Sequence, residues 1–170
     1  MTPSDLEPGG GEPPIVIDRD LAFLHPANRA ALAYWREMAG SGAMPSRAQI
    51  DPVEMRGFLA HVGLAEVTIK GSDLPRYRIR LAGSVIEEVF GPITGRTLDE
   101  ALPAHIVARW RVIFDEAVHS RAPVRATSRV IHEGKLFLNA EVLMAPLSED
   151  GTAVSMLFAS AAFWTDDDAP

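Results

Sequence analysis

The stretch "VGLAEVTIKGSDLPRYRIRLAGSVIEEVFGP" (Val62–Pro92) decides the fold. Its first part, "VGLAEVTI", is rich in β-branched and apolar residues and reads as a strand. "KGSDLP" (Lys70–Pro75) gathers turn formers. "RYRIRLAG" alternates, with Tyr77, Ile79 and Leu81 on one face and Arg76, Arg78 and Arg80 on the other. Period two with one charged face predicts a strand with one dry side. "SVIEEVFGP" then turns helical: Ser84 and Glu87 have capping-box spacing, and Gly91-Pro92 stops the helix. A β-hairpin therefore leads directly into a helix.

Upstream lie two more helical signals. In "AQIDPVEMRGFLAH" (Ala48–His61), Asp51 suits an N-cap, Pro52 the first helical position and Glu54 the third. Ile50 and Met55 have staple spacing, so a capped helix is expected to deliver the chain into the hairpin. "PANRAALAYWREMAG" (Pro26–Gly40) carries a stripe of Asn28, Ala31, Leu32, Trp35, Met38 and Ala39 and ends on Gly40. Before it, residues 1–20 are expected to be a flexible segment, its first part rich in Gly, Pro and acid.

Downstream, Thr97 and Glu100 repeat the capping box for a short helix. "PAHIVARWRVIFDEAVHS" (Pro103–Ser120) follows, a longer helix with the stripe Ile106, Trp110, Ile113, Phe114 and Ala117. The last third reads as three strands joined by tight turns. "APVRATSRVIHE" puts Val124, Ala126, Ser128 and Val130 on one face. "LFLNAEVLMAPL" does the same with Leu136, Leu138, Ala140, Val142 and Met144. "AVSMLFASAAFW" is apolar on both faces, which predicts a central strand covered on both sides. The single domain is expected over residues 21–165, with an acidic tail over 166–170.

Composition narrows the function. A net charge of −7 argues against nucleic acid or an anionic membrane as partner. There is no cysteine, which removes disulfides, thiolate chemistry and Cys-ligated metals. No apolar run has the length of a bilayer span, and a cytoplasmic location is expected.

The order hairpin, helices, long helix, three-strand meander resembles the PAS family, most closely a bacterial subgroup of short stand-alone proteins with an extra N-terminal helix. "LAYWREMAGSGAMPSRAQIDPVEMRGFLAHVGLAEV" and "PRYRIRLAGSVIEEVFGPITGRTLDE" carry the likeness, which spans Leu21 to Trp164. The resemblance implies an α+β fold: a five-stranded antiparallel sheet in the order 2-1-5-4-3, with helices on one face and the additional N-terminal helix. It implies a sensory or regulatory role without catalysis and without an output domain, so that any signal leaves through an interface.

The candidate chemistry is sparse. His25, His61, His105, His119 and His132 include no i, i+4 pair suited to zinc. Histidines of the long-helix region ligate haem in some PAS proteins, but His105 and His119 suit the helix ends, where imidazole meets the dipole. Light-driven flavin adducts of the LOV type need a cysteine that this chain lacks. No cofactor and no metal are expected; non-covalent flavin has no motif here. Tyr77 and Ser128 are polar groups on dry faces, and Ser160 is a third candidate. With Val89, Phe90, Trp110, Leu138 and Met156 they suit a mostly apolar ligand pocket. The same residues suit a filled core in which the hydroxyls satisfy backbone groups, and that reading is favoured because apolar faces always look like pockets from sequence.

The face of the sheet away from the central helices would collect Phe137 and Leu143. Covered by Trp35 and Met38 of the N-terminal helix, in the same chain or across a two-fold axis, it is the expected homodimer interface. A small cone-shaped enzyme of the ketosteroid-isomerase or dehydratase type is the alternative, with His132 as its base, and a ligand-free dimerisation module is a third.

Overall fold

The computed structural model describes residues 11–170. Its six strands form one antiparallel sheet: β1 (Val16–Asp18), β2 (Val62–Thr68), β3 (Arg76–Ala82), β4 (Val124–Arg129), β5 (Asn139–Leu147) and β6 (Met156–Trp164). The spatial order is β1-β4-β5-β6-β2-β3. Without β1 this is the five-strand order expected from the sequence. The sixth strand pairs with β4, Ile17 opposite Ala126. Residues 16–18, assigned from sequence to a flexible segment, are thus sheet. Three residues just after a Pro pair, the last of them the first Asp of Asp-Arg-Asp, carry too little periodicity to announce a strand, and among the described residues β4 is its one partner. Residues 1–10 of that segment lie outside the described residues.

Each face of the sheet has its own helical layer. On one side pack α2 (Ser84–Phe90), α3 (Leu98–Ala101) and α4 (Ala104–Ser120), burying Ile79, Met144 and Leu157 of the sheet against Ile86, Leu98, Ile106 and Phe114. On the other lies α1 (Pro26–Ala39), whose Ala31, Leu32, Tyr34 and Trp35 bury Leu143, Ala145, Leu147 and Phe158. This explains why β5 and β6 are apolar on both faces: they are the middle of a three-layer stack.

α1 starts at His25, whose Nδ1 accepts from the Ala27 N–H, and it stops at Gly40, whose φ of 57° suits glycine. Its first turn is locked to the sheet by Glu141, a carboxylate with 0% exposure on β5. Glu141 accepts hydrogen bonds from the Leu24 N–H (2.8 Å), the His25 N–H (3.0 Å) and Asn28 Nδ2 (3.1 Å), and from Arg125 Nε at 2.9 Å. Asn28 in turn accepts from Ser160 Oγ at 2.7 Å. Burial alone would raise this carboxyl; the two amide donors, Asn28 and Arg125 outweigh it and hold Glu141 below the usual carboxylate range.

Several local expectations are corrected. Asp51–His61 is no helix. It descends in i to i+3 turns, Met55 N–H to Pro52 O, Phe58 N–H to Met55 O and His61 N–H to Phe58 O, ending in a short 3₁₀ turn. Asp51 caps locally onto the Val53 N–H, and Ile50 and Met55 are both buried as a staple requires. Ser84 does not cap α2. Gly83 is the N-cap, and a Cβ there would sit 2.2 Å from the Ala60 carbonyl oxygen, so backbone-to-backbone approach demands glycine. Glu87 instead accepts from the N–H groups of Ile93 and Thr94 and from the Thr94 hydroxyl, bracing the loop after α2. The Thr97–Glu100 capping box forms as expected. Between β4 and β5 the expected tight turn is instead a loop over residues 130–138 that contains a short 3₁₀ turn, with Glu133 and Gly134 both at positive φ. Phe137 and Leu138 fall in that loop. In the expected tail, Asp166 accepts from both Arg129 and Asn139, and residues 166–168 form a 3₁₀ turn.

A cavity between the sheet and the long helix

The core between the sheet and α4 is not filled. A cavity of about 120 Å³ remains, lined by Ile79, Ile86, Phe90, Ile106, Trp110 and Val142 among others. Small residues make the room: Ala65, Ala126, Ala140, Ala159 and Ala161 face it from four strands. Aromatic rings form one wall. Phe90 meets Trp110 edge-on at 4.8 Å and Phe163 at 5.9 Å, and Trp110 stacks near Phe114 at 5.9 Å.

The cavity rim toward β4 is polar. Ser128 Oγ accepts from Arg109 Nη2 at 2.6 Å and donates to the Arg129 carbonyl. Arg109 Nη1 faces Glu12 Oε2 at 3.5 Å. Arg129 also reaches the lining, but its guanidinium holds both oxygens of Asp166. Over this rim runs the segment from Glu12 to Asp18. Ile15 lines the cavity itself, Pro13 and Pro14 border a surface cleft with Ala108 and Val112 of α4, and Ile17 packs on the core. Asp18 closes the arm with an ion pair to Arg125 at 3.0 Å.

Of the residues chosen from the sequence, Phe90, Trp110 and Ser128 line the cavity. Tyr77 is on the correct face and fully buried, but it lies outside the lining. Its ring meets Phe114 edge-on, and its hydroxyl donates to Asp115 at 2.5 Å. Burial, and then that bond, push the hydroxyl well above its ordinary pKa. Val89 is buried in α2 away from the cavity, and Leu138 sits in the loop before β5. Met156 and Ser160 lie on the opposite face, Ser160 bound to Asn28 beneath α1. Period two puts them there once Leu157 and Ala161 point to α4.

Trp35 and Leu143, expected at a dimer interface, are buried together inside this chain, and Trp35 Nε1 donates to the Pro146 carbonyl. Met38 is half-buried beside them, and Phe137 is 58% exposed. His132, the one base considered for an enzyme, is buried against Phe90 and does not line the cavity. Among the described residues no group of three or more His, Cys, Asp or Glu is placed to hold a metal.

A family model described as "PAS domain" matches residues 23–160, well over half of the chain. The chain belongs to the PAS domain family. One solved structure similar to this PAS chain is described as "Structure of an RNA-binding Light-Oxygen-Voltage Receptor". It shares 17% identity with a TM-score of 0.41, over 72% of this chain and 37% of that one. This PAS chain thus spans well under half the length of that receptor. No curated protein matches it. Among the described residues no helix is long and apolar enough to cross a membrane. The strand order β4-β5-β6-β2-β3 within the sheet agrees with the family match, and the cavity between sheet and helix is the candidate site. Arg109 and Ile15 were missed from sequence. A cation on a helix reads as solvent-facing, although its apolar stem can bury while its head reaches a rim.

Proposed function

We propose that this PAS domain is a sensory module that binds a small, mostly apolar molecule in the cavity between β4, β5, β6 and α4. The supporting observation is the unfilled volume of about 120 Å³ among buried core residues. Native cores hold few voids larger than a water, and an apolar void of about this size stays dry and accepts small hydrocarbons. Five inward alanines where larger aliphatic residues would fill the space are consistent with a retained cavity. No cofactor and no catalytic step are part of this reading. The signal would leave through a surface contact, with homodimerisation as the proposed route. Because Trp35 and Leu143 serve the chain's own α1 layer, that contact would use other residues, with exposed Phe137 the remaining candidate of the four.

Calorimetric titration with toluene tests the binding claim. The wild type should bind it stoichiometrically, and Ala126→Leu, which projects into the cavity from β4, should not. Absence of binding to the wild type, or equal binding to both, would contradict the reading. Sedimentation of the purified chain tests the dimer: a monomer at all accessible concentrations would remove it.

A further inference from the structure

The polar rim holds a cation with too little to bind. Arg109 is 13% exposed on its side chain, yet among the described residues it has one normal hydrogen bond, to the neutral hydroxyl of Ser128. Its carboxylate neighbour, Glu12, stands off at 3.5 Å and is 56% exposed. A guanidinium carries five donors and stays charged at any physiological pH, so such enclosure favours an anion with two acceptor oxygens. The other guanidinium on the lining, that of Arg129, is already occupied by Asp166. Arg109 also stands where the cavity meets the surface: it lines both the interior space and the cleft formed by Glu12, Pro13 and Pro14 on α4. The arm carrying Glu12 is thin. It is held by a three-residue strand on β4, by Ile15 in the cavity wall and by the Glu12–Arg109 contact.

We propose that the cavity selects a small molecule with an apolar body and an anionic head, and that this head displaces Glu12 from Arg109 and releases the N-terminal arm. The proposal rests on the cavity being a ligand site, and it adds the ligand's chemical class and the way occupancy reaches the surface. The body fills the aromatic and aliphatic space, with room for a single ring. The head sits at the Ser128 end, where the lining is polar. Once Arg109 turns to the ligand, residues 11–17 lose their latch, while Asp18 stays anchored on Arg125. The arm then loosens up to a fixed point, and strand β1 is the element that reports binding.

Three matched probes test this by calorimetry on the full chain: phenylacetate, toluene and phenethylamine. Phenylacetate should bind at least about tenfold more tightly than toluene, as a charge-assisted hydrogen bond allows, and phenethylamine more weakly than either. Glu12→Gln, at an exposed position, should tighten phenylacetate by about two- to fivefold and leave toluene unchanged. Arg109→Met should bring phenylacetate down to the toluene level. In amide hydrogen exchange, Val16 and Ile17 should exchange faster with phenylacetate bound and not with toluene bound, while Asp18, held by Arg125, should not change. Binding of all three probes with equal affinity, weaker phenylacetate binding in Glu12→Gln, or unchanged arm exchange would overturn the anion and arm proposal while leaving the cavity as a ligand site. No binding of any probe would overturn the cavity reading and this proposal together.

Discussion

Replacing Glu141 by Gln is the sharpest perturbation of the fold. The carboxylate is fully buried, and its partners come from two elements: the Leu24 and His25 amides and Asn28 at the start of α1, and Arg125 on β4. Gln keeps the shape but loses the charge. One of its termini is a donor that would face other donors, and Arg125 would keep only Asp18 as a charged partner. Removing one side of a buried ion pair costs about 3–5 kcal/mol, most of it the penalty of the group left behind. With a urea slope near 2 kcal/mol/M, the midpoint should fall by roughly 1.5–2.5 M. Equilibrium unfolding followed by tryptophan fluorescence measures this directly, since Trp35 lies in the α1 layer. Arg125→Gln should be costly too, and the double variant should cost less than the sum of the two, because the sites share one bond network. A midpoint shift below about 0.5 M, or full additivity, would show that Glu141 does not hold α1 to the sheet.

Further outcomes follow from the same geometry. Trp110 is only partly buried and borders the cavity, so Trp110→Ala should cost about 2 kcal/mol in urea unfolding, less than the ~3–5 kcal/mol of a fully enclosed ring. Gly83→Ala should lower the thermal midpoint by several degrees and shift backbone amide resonances around Ala60, since its Cβ would overlap the Ala60 carbonyl. Burial first, then His61, lower the pKa of His25, although Glu141 opposes them. Its stabilising contribution is therefore complete above the ordinary value of 6.5 and fades as pH falls through the lowered value. Protonated Nδ1 also cannot accept from the Ala27 N–H, so His25→Gln should flatten stability against pH on the acid side of neutrality. Deleting residues 1–40 should expose Leu143, Leu147 and Phe158 and cause aggregation; a monodisperse truncation product would refute the covering role of α1.

Much of the architecture was legible because strong periodicity is local. The alternation of Tyr77 and Ile79 with three arginines sets an edge strand, and the double apolar character of β6 sets the centre of a stack. What escaped depends on distant partners. Val16–Asp18 becomes strand only because β4 has a free edge. Whether Met156 or Leu157 faces α4 is a matter of register, and one residue of slip reverses it. Glu141 carries no signal in its own strand; its role lies in the amides and arginine brought to it from elsewhere. The cavity is an absence, and alanines in strands do not announce whether neighbours close over them. Arg109 was hidden by its helix, since only the fold shows that its head stops under residues 12–15.

Crystals of the wild-type chain pressurised with xenon test the central claim most directly. Xenon binds apolar voids without needing a polar anchor. The account predicts one ordered site bounded by Phe90, Trp110, Ala126 and Ala161. Side chains packed across that space, with no xenon density between the sheet and α4, would contradict it.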